Sequence, residues 1–214
     1  MSDNEVRLPG RQAEALRNDT AILDAARQVF IREPAAPMSA VAAVAGVGIS
    51  ALYKRYASKE ELLRTLCGEG LERFSAIARA AAEIGDPWEA LAQFVTGIVE
   101  SDVHSLTVKL AGTFTPTPEL HEHASASTAL AEKLFDRASK AGVLRDGLVP
   151  NDLAMIFEQL ASIRLGDSER TLQLRRRYLR IQLDALRAGP DRADLPAPAA
   201  TDDELGQRWQ PRRT

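Results

Sequence analysis

The chain of 214 residues is poor in cysteine, since Cys67 is the only one. A single thiol cannot form an internal disulfide, which suits the reducing cytosol. Inside a helical stretch, such a thiol more often serves packing than redox sensing. No apolar run reaches the roughly 18 residues needed to span a bilayer, and no signal-peptide pattern stands near the N-terminus. We therefore expect a cytoplasmic protein that is not anchored in a membrane.

Aromatic residues are also few, at 5% of the chain, whereas hydrophobic residues in all make up 45%. This balance is typical of helices built from alanine and leucine. Sustained alternation of β-branched residues and strand-turn-strand patterns are missing, so the sequence does not favour a sheet. The formal net charge of −3 argues against a surface that binds polyanions throughout, but not against local clusters of cations. The composition predicts an all-α fold.

Motifs that mark common enzyme classes are absent as well. The sequence contains no Gly-rich phosphate loop, no HExxH and no GxSxG. His121 and His123 suggest a metal site, but residues two apart on a helix point to different sides, and no third ligand stands nearby. We expect no metal, no cofactor and no enzymatic activity. An all-α enzyme that uses His104 with a distant carboxylate is the alternative.

The most specific pattern of the chain lies at residues 38–63. Val41 and Val44 recur at helical spacing, and the alanines beside them leave room for a crossing helix. A Gly-bearing turn follows at residues 46–48, and residues 49–56 can form only about two helical turns. This outline is typical of a helix-turn-helix DNA reader. It also occurs in helical bundles that have no DNA role.

The second short helix carries side chains that suit a major groove. Leu52 and Tyr56 are four residues apart and share one buried face, which leaves small and cationic residues outward. Small residues let a helix sit deep in the groove, and cations meet phosphates or guanine edges. The next helix starts with a capping box at residues 58–61. Lys59 therefore lies in its first turn, where free backbone N–H groups also favour a phosphate.

The stretch from about residue 18 to 66 resembles the N-terminal domain of the TetR family of bacterial transcriptional regulators. The resemblance is carried by an apolar first helix over 21–30, by Val41-Ala42, Ala45-Gly46-Val47, Leu52-Tyr53-Lys54-Arg55-Tyr56, Ser58-Lys59-Glu60 and Leu62-Leu63. It implies an all-α homodimer whose helix over 49–56 enters the major groove. It also implies phosphate contacts from Tyr53, Lys54 and Lys59.

Two positions depart from the family pattern. The family often starts its second helix with a threonine that caps the helix and touches phosphate. Here the cap is either Ser39 in a shifted register or absent. Ala51 stands where the family often has threonine or serine, so one polar base contact is missing. The residues expected to face DNA are Ser39, Gly48, Ile49, Ser50, Ala51, Tyr53, Lys54, Arg55 and Lys59.

The rest of the sequence predicts further helices with clear punctuation. Asp86 and Pro87 start one helix as its N-cap and first residue. Pro118 and Pro150 start two more, and Gly142 follows a helix end. The predicted helices cover 59 to about 84, a stretch from 87, about 102–113, 118 to about 141, 150 to about 166, and 168–188.

The order of these elements predicts four parts of the chain. They are a flexible basic leader over 1–17, a helix-turn-helix domain over 18–66, a helical effector-binding and dimerisation domain over 67–189, and a disordered tail over 190–214. The long fourth helix joins the DNA-binding domain to the C-terminal helical bundle. Arg7, Arg11 and Arg17 of the leader either form an arm that reaches DNA or face solvent. Trp209 of the tail is expected to be a stray exposed aromatic.

The resemblance also implies a dimer and a small-molecule effector. In the family, the last two helices pack against a second copy, and the middle helices enclose the effector. The resemblance thus implies 151–164 and 168–187 as the dimer surface. The leucine stripe of the last helix is compatible with this, although a monomer needs such a stripe for its own core. The expected dimer residues are Phe157, Leu160, Leu172, Leu179, Leu183 and Leu186. The expected pocket residues are Trp88, Phe94, His104, Phe114 and Phe157, for which core packing is the alternative.

The pattern and the resemblance together predict a homodimeric, ligand-responsive transcriptional regulator. The resemblance to the family further implies that this regulator is a repressor. Its partners are double-stranded DNA with a palindromic operator, a second copy of the chain and a small molecule. Two half-sites one DNA turn apart multiply the specificity of a single two-turn helix. A helical protein-interaction module without a DNA role is the second alternative, beside the enzyme.

Overall fold

The computed structural model describes residues 10–190 and 192–207, and for residues 10–17 it describes the backbone only. This part of the chain contains ten helices and no strand. They are α1 (Gly10–Arg32), α2 (Met38–Ala45), α3 (Ile49–Arg55), α4 (Lys59–Ala82), α5 (Pro87–Glu100), α6 (Val103–Leu110), α7 (Pro118–Lys140), α8 (Pro150–Ser162), α9 (Ser168–Leu186) and α10 (Asp202–Gly206). The predicted all-α fold is confirmed. None of these helices is long and apolar enough to cross a membrane.

The described residues divide into two compact units, with the boundary between Leu66 and Cys67 inside α4. In the first unit, α1 packs against α2 and α2 packs against α3. The largest buried side chains of this unit are Phe30, Val41, Leu52, Tyr56, Leu62, Leu63 and Leu66. Gly46 closes α2 with a φ of 68°, a left-handed conformation that favours glycine. The turn that follows it leads directly into α3.

In the second unit, α5 is the central helix, and it contacts α6, α7, α8 and α9. Its buried residues are Ala90, Leu91, Phe94, Val95, Ile98 and Val99. Gly97 lets α4 approach α5 closely, because a Cβ atom at that position would lie 2.8 Å from Cγ2 of Ile77. The buried face of α5 therefore holds the core of this unit together.

Helices α5 and α7 of the second unit begin at the prolines that the sequence predicted. The Asp86 carboxylate accepts a hydrogen bond of 2.7 Å from the backbone N–H of Glu89, and Pro87 is the first residue of α5. Thr117 caps α7 in the same way ahead of Pro118. Because these caps satisfy N–H groups that the helix itself cannot, they set where each helix begins.

The two ends of the chain differ from the prediction. Helix α1 already begins at Gly10, so Arg11 and Arg17 belong to a helix and not to a flexible leader. Residues 10–17 are rich in good helix formers, which extend the helix by about two turns beyond the predicted start. Arg7 lies outside the described residues.

The predicted disordered tail is partly ordered. Residues 202–206 form α10, which starts at a capping box of Thr201 and Glu204. The Asn151 side-chain amide donates to the carbonyl of Ala200 and to the Asp202 carboxylate, each at 2.9 Å. These bonds tie the tail to the start of α8, a pairing that local composition does not reveal. Trp209 lies outside the described residues.

Candidate functional site

Helix α3 turns one face to the core of its unit and the opposite face to solvent. Leu52 and Tyr56 are buried, whereas Tyr53 is 49% exposed and Lys54 is also exposed. The predicted DNA-facing residues Gly48, Ile49, Ser50 and Ala51 at the start of α3 are also exposed, as is Ser39 at the start of α2. The structure thus brings small side chains, a phenol and a cation together on one surface of about two helical turns.

Arg55 is exposed too, but its guanidinium is bound within the unit. It donates to the Asp19 carboxylate at 2.6 Å and lies 5.0 Å from the centre of the Tyr56 ring. The Tyr56 hydroxyl donates to the other oxygen of Asp19, also at 2.6 Å. Burial raises the pKa of Asp19, but the hydrogen bonds from Arg55 and Tyr56 outweigh it and lower that pKa below its ordinary value. Arg55 therefore fixes the end of α3 against α1.

Lys59 has a structural role that the predicted phosphate contact did not include. Its Nζ atom donates to the carbonyls of Pro34 and Ala36, each at 2.8 Å, and lies 5.0 Å from the centre of the Phe30 ring. Burial lowers the pKa of Lys59, while the charge of Glu33 raises it to a smaller extent. Two of the three ammonium N–H donors of Lys59 therefore serve loop carbonyls that lack helical partners.

The two predicted caps of this unit have different outcomes. Ser58 caps α4, since its hydroxyl accepts from the backbone N–H of Glu61 at 3.1 Å. The Glu61 carboxylate reaches back to the N–H of Ala57 at 2.8 Å. Helix α2, by contrast, starts after Pro37 without a side-chain cap. Ser39 therefore does not replace the threonine cap that is common in the family.

The second unit encloses a pocket of about 400 Å³. Its walls come from α4, α5, α6, α7, α8 and α10, together with Pro116 ahead of α7. The lining side chains are mostly apolar, and they include Leu71, Phe74, Phe94, Ile98, Val103, Val108, Leu120, Leu153, Phe157 and Leu205. This size and lining are typical of small-molecule sites.

Three of the five predicted pocket residues line this pocket, and two do not. Phe94, His104 and Phe157 contribute to its wall. Trp88 lies outside the pocket. The guanidinium of Arg187, at the end of α9, lies 4.8 Å from the centre of its ring. Phe114 is buried outside the pocket lining, as packing predicts for a large apolar residue.

Aromatic rings form the inner wall of the pocket. Phe94 meets Phe74 edge to face, with ring centres 5.2 Å apart, and meets Phe157 in the same way at 6.4 Å. The His104 ring lies 6.1 Å from the Phe157 ring. Edge-to-face pairs stabilise such a cluster beyond simple burial. The wall therefore offers a firm apolar surface beside one imidazole.

His104 is buried, and its two ring nitrogens differ. Nδ1 lies 3.3 Å from the carbonyl of Ile98, whereas Nε2 has no hydrogen-bond partner among the described residues. Burial lowers the pKa of His104 to about 4, although the nearby Asp102 charge raises it. The ring is therefore neutral at pH 7. Since a carbonyl can only accept, Nδ1 carries the proton and Nε2 is an acceptor.

An ion pair with one buried partner connects α9 to the junction of α5 and α6. Asp102 takes a left-handed conformation with a φ of 52°, which aspartate tolerates better than most residues. Its carboxylate accepts from the Arg175 guanidinium at 2.5 Å, and Arg175 also donates to the carbonyl of Ala161. Arg175 is buried, whereas the Asp102 side chain is 39% exposed. The first arginine of the 175–177 run is thus part of the interior.

The predicted dimer stripe mostly lies in the core of the second unit. Leu160, Leu179, Leu183 and Leu186 are buried there, Leu172 is half-buried, and Phe157 lines the pocket. The spacing of these residues suggested a dimer interface. A helix that packs into the core of its own unit has apolar residues at the same spacing, so the spacing does not distinguish the two. Tyr178 and Ile181 lie on the outer side of α9, 47% and 54% exposed. The exposed side of α9 is therefore formed by other residues than those predicted for the dimer contact.

The geometry of the first unit has a counterpart among protein families. The family model described as bacterial regulatory proteins, tetR family, matches residues 22–66. By this match, residues 22–66 form a TetR-family N-terminal domain. The matched residues include α2, the turn and α3, whose exposed surface is described above.

Solved structures of TetR-family proteins share the fold over both units. The TetR transcription regulatory protein from Mycobacterium vanbaalenii is 24% identical, with a TM-score of 0.55 over 83% of this chain and 99% of that one. The regulator LfrR from Mycobacterium smegmatis, solved with proflavine, is 22% identical, with a TM-score of 0.57 over 81% and 99%. The ketosteroid regulator KstR2 from Mycobacterium tuberculosis is 17% identical, with a TM-score of 0.58 over 86% and 98%. At these identities the likeness shows the fold alone. A comparison with curated proteins found no match.

Two features of the structure were not predicted from the sequence. Asp19 was not singled out, because nothing local shows that its carboxylate meets Arg55 and Tyr56 more than 30 residues away. Leu205 was not expected in the pocket, because the tail was predicted to be disordered. The capping box at Thr201 is the one sequence signal that could have indicated order there.

The position of Lys59 leads to a test of its structural role. Replacing it with methionine keeps the apolar stem but removes two charge-assisted hydrogen bonds, so we expect a loss of about 1–3 kcal/mol in the free energy of unfolding. Urea denaturation followed by circular dichroism measures this. Lys54→Met, which changes an exposed lysine of α3, is the control. Equal stability of the Lys59 and Lys54 variants would contradict the role.

The thiol of Cys67, in the pocket wall, is expected to be unreactive. Burial raises its pKa to about 12, so little thiolate exists near neutrality. We expect alkylation by iodoacetamide at about pH 8 to be at least ~100-fold slower in the native protein than in guanidinium chloride. Mass spectrometry of quenched samples measures both rates on the only cysteine of the chain. Similar rates in the two conditions would show that the thiol is accessible.

Proposed function

We propose that this chain is a homodimeric repressor that binds an inverted repeat in double-stranded DNA and releases it when a small molecule fills the pocket. The observation that carries the DNA contact is the exposed face of α3. Tyr53 and Lys54 stand there between small side chains, above the buried Leu52. Small side chains allow close approach to base edges, and the phenol and ammonium groups match phosphates.

In this proposal, the predicted DNA-facing residues have different roles. Lys54 and Tyr53 act as the phosphate contacts, and Ile49, Ser50 and Ala51 face the base edges. Ser39 lies at the start of α2, and Gly48 ends the turn that leads into α3. Arg55 contacts DNA only through the part of its guanidinium that Asp19 leaves exposed. Lys59 supports the surface by holding the loop after α1 with two of its three ammonium N–H groups.

The dimer contact is assigned to the outer face of α9. Leu174, Tyr178, Ile181 and Ala185 follow one another at helical spacing on the side opposite the buried leucines. Large apolar groups such as Tyr178 and Ile181 cost free energy when they stay in water, so a second copy of this helix would stabilise them. In this proposal, α8 and α9 still pack against their copies in the second chain. The contact is made by the exposed side of α9 and not by the leucine stripe that the sequence suggested.

Release by a ligand is assigned to α4. Cys67, Gly70, Leu71 and Phe74 of this helix line the pocket, and the same helix begins at Lys59, beside the DNA-reading elements. A ligand that favours one position of α4 shifts the population of DNA-binding conformations. A difference of about 1–3 kcal/mol in ligand affinity between the two states is enough for a useful switch.

The test is selection of duplexes from a random DNA library by the purified full chain. We expect recovery of one inverted repeat whose half-sites are about one DNA turn apart. Sedimentation of the complex would show two chains per duplex. Recovery of no consensus, or only of salt-sensitive binding that ignores sequence, by a folded protein would overturn the proposal. A helical interaction module or an all-α enzyme would then be the better account.

A further inference from the structure

The segment that follows α9 lies along the loop between α7 and α8. The Arg145 guanidinium donates to the carbonyl of Ala193. Further along, Leu195 lies beside Gly147, where an added Cβ atom would be 3.6 Å from the leucine Cδ1 atom. The segment therefore follows the loop towards the start of α8, and contacts between residues distant in the sequence hold it there.

The segment is attached again at the start of α8. The side-chain amide of Asn151 donates to the carbonyl of Ala200 and to the carboxylate of Asp202, each at 2.9 Å. Helix α10 begins at this point, with the capping box of Thr201 and Glu204. A helix of five residues is too short to be stable by itself in water. The helical state of α10 therefore depends on its attachment to the rest of the unit.

Helix α10 places one apolar side chain in the wall of the pocket. The sequence of this helix is DDELG, so Leu205 is its only large apolar residue. Leu205 is half-buried and lines the pocket, whereas the residues on either side of it are exposed. Pro150 and Ala154, which stand on either side of Asn151 in α8, line the same pocket. Helix α10 therefore covers the pocket beside the start of α8.

The contacts that hold α10 in place are few and open to water. The hydrogen bond from Asn151 to Asp202 is exposed, and the bond from Asn151 to Ala200 is only partly buried. The three acidic residues of α10 are exposed and so remain hydrated when the helix is attached. Segments with few buried apolar contacts and exposed hydrogen bonds open at a low cost in free energy. Helix α10 can therefore leave the pocket wall while the rest of the unit stays folded.

We propose that α10 is a lid on the pocket: Leu205 closes the pocket while α10 is attached to Asn151, and a small molecule enters or leaves when α10 separates. The inference rests on the ligand pocket of the proposed function and concerns its regulation. A lid must open for entry and for exit, so it slows both rates. A residue that only contacts the ligand changes mainly the rate of exit. The two rates therefore separate a lid from an ordinary wall residue.

The test uses N-phenyl-1-naphthylamine, a neutral apolar probe whose fluorescence rises in apolar surroundings. Stopped-flow fluorescence of the purified full chain, without DNA, measures the rates of probe binding and release. Serine cannot make the apolar contact of Leu205, so in Leu205→Ser we expect both rates to rise about five-fold or more. Both rates should also rise in Asn151→Ala, which keeps Leu205 but removes the attachment of α10.

The matched control is Leu165→Ser. Leu165 is 64% exposed in the loop after α8 and does not line the pocket, so we expect unchanged rates. Circular dichroism verifies that each variant keeps its fold. Unchanged rates in either Leu205→Ser or Asn151→Ala, or a change in the rate of release alone, would overturn the inference. The absence of saturable probe binding to the full chain would also overturn it, since the lid would then close no ligand site.

The proposed function fails in a different way, because duplex selection does not depend on the probe. If the full chain selects no duplex while both probe rates rise in Leu205→Ser, the repressor function is wrong and the lid stands. If a duplex is selected but the probe rates are the same in Leu205→Ser and in the unmodified chain, the lid is wrong and the DNA-binding function stands.

Discussion

Replacement of both Tyr53 and Lys54 with alanine is expected to lower the affinity for the selected duplex by about 100-fold or more. Both side chains lie on the exposed face of α3, and neither supports the core of the unit. A dimer would lose two lysine–phosphate contacts, so the slope of log affinity against log salt should become shallower by about 2. Fluorescence anisotropy with a labelled duplex at several salt concentrations measures both quantities.

The control for this experiment is Lys133→Ala, which removes an exposed lysine of α7 in the other unit. This variant matches the lost charge but leaves the α3 surface intact. Circular dichroism and sedimentation verify that the double variant keeps its fold and its dimer. If the double variant and Lys133→Ala bind the duplex equally well, α3 is not the helix that reads DNA.

Replacement of Asp102 with asparagine is expected to destabilise the second unit by about 2–3 kcal/mol. Asparagine tolerates the left-handed conformation of this position, so the substitution removes the charge without adding backbone strain. It leaves Arg175 buried opposite a neutral group. The 39% exposure of Asp102 lets water reach the pair, which keeps the loss at the lower end of the range for buried pairs. Urea denaturation measures the free energy of unfolding.

A double-mutant cycle with Arg175→Met isolates the charge effect. Methionine replaces the buried guanidinium with an apolar chain, and Asp102 can then be hydrated from its exposed side. We expect Asp102→Asn to cost less than about 1 kcal/mol in the Arg175→Met background. A cost that is the same in both backgrounds would mean that the ion pair does not connect α9 to the junction of α5 and α6.

The helix-turn-helix unit was largely predictable because its signals are local. The glycine after α2, the apolar spacing of Leu52 and Tyr56, and the Ser58 cap each act within one or two turns. The starts of α5 and α7 were predictable for the same reason, since an acceptor ahead of a proline determines them. Backbone conformation and capping depend on neighbours in the chain, which the sequence displays directly.

The contacts that were not predicted involve residues whose partners are distant in the sequence. A leucine stripe on α9 has the same period whether it meets its own core or a second chain, so periodicity could not separate the two. Lys59 was expected to face DNA because its position in the helix is local information. Its contacts with the loop after α1 could not be predicted in this way, because that loop is more than 20 residues away in the sequence.

The sequence by itself determined the all-α class, the helix-turn-helix unit and most helix starts, because short-range propensity, capping and apolar period set them. Only the tertiary structure decided which leucines are interior, which cations stay exposed and which side chains enclose the pocket. These outcomes depend on packing between helices and on hydrogen bonds across the chain, as with Leu205 in the pocket wall and Arg175 at Asp102. Such contacts exist only once the helices have come together.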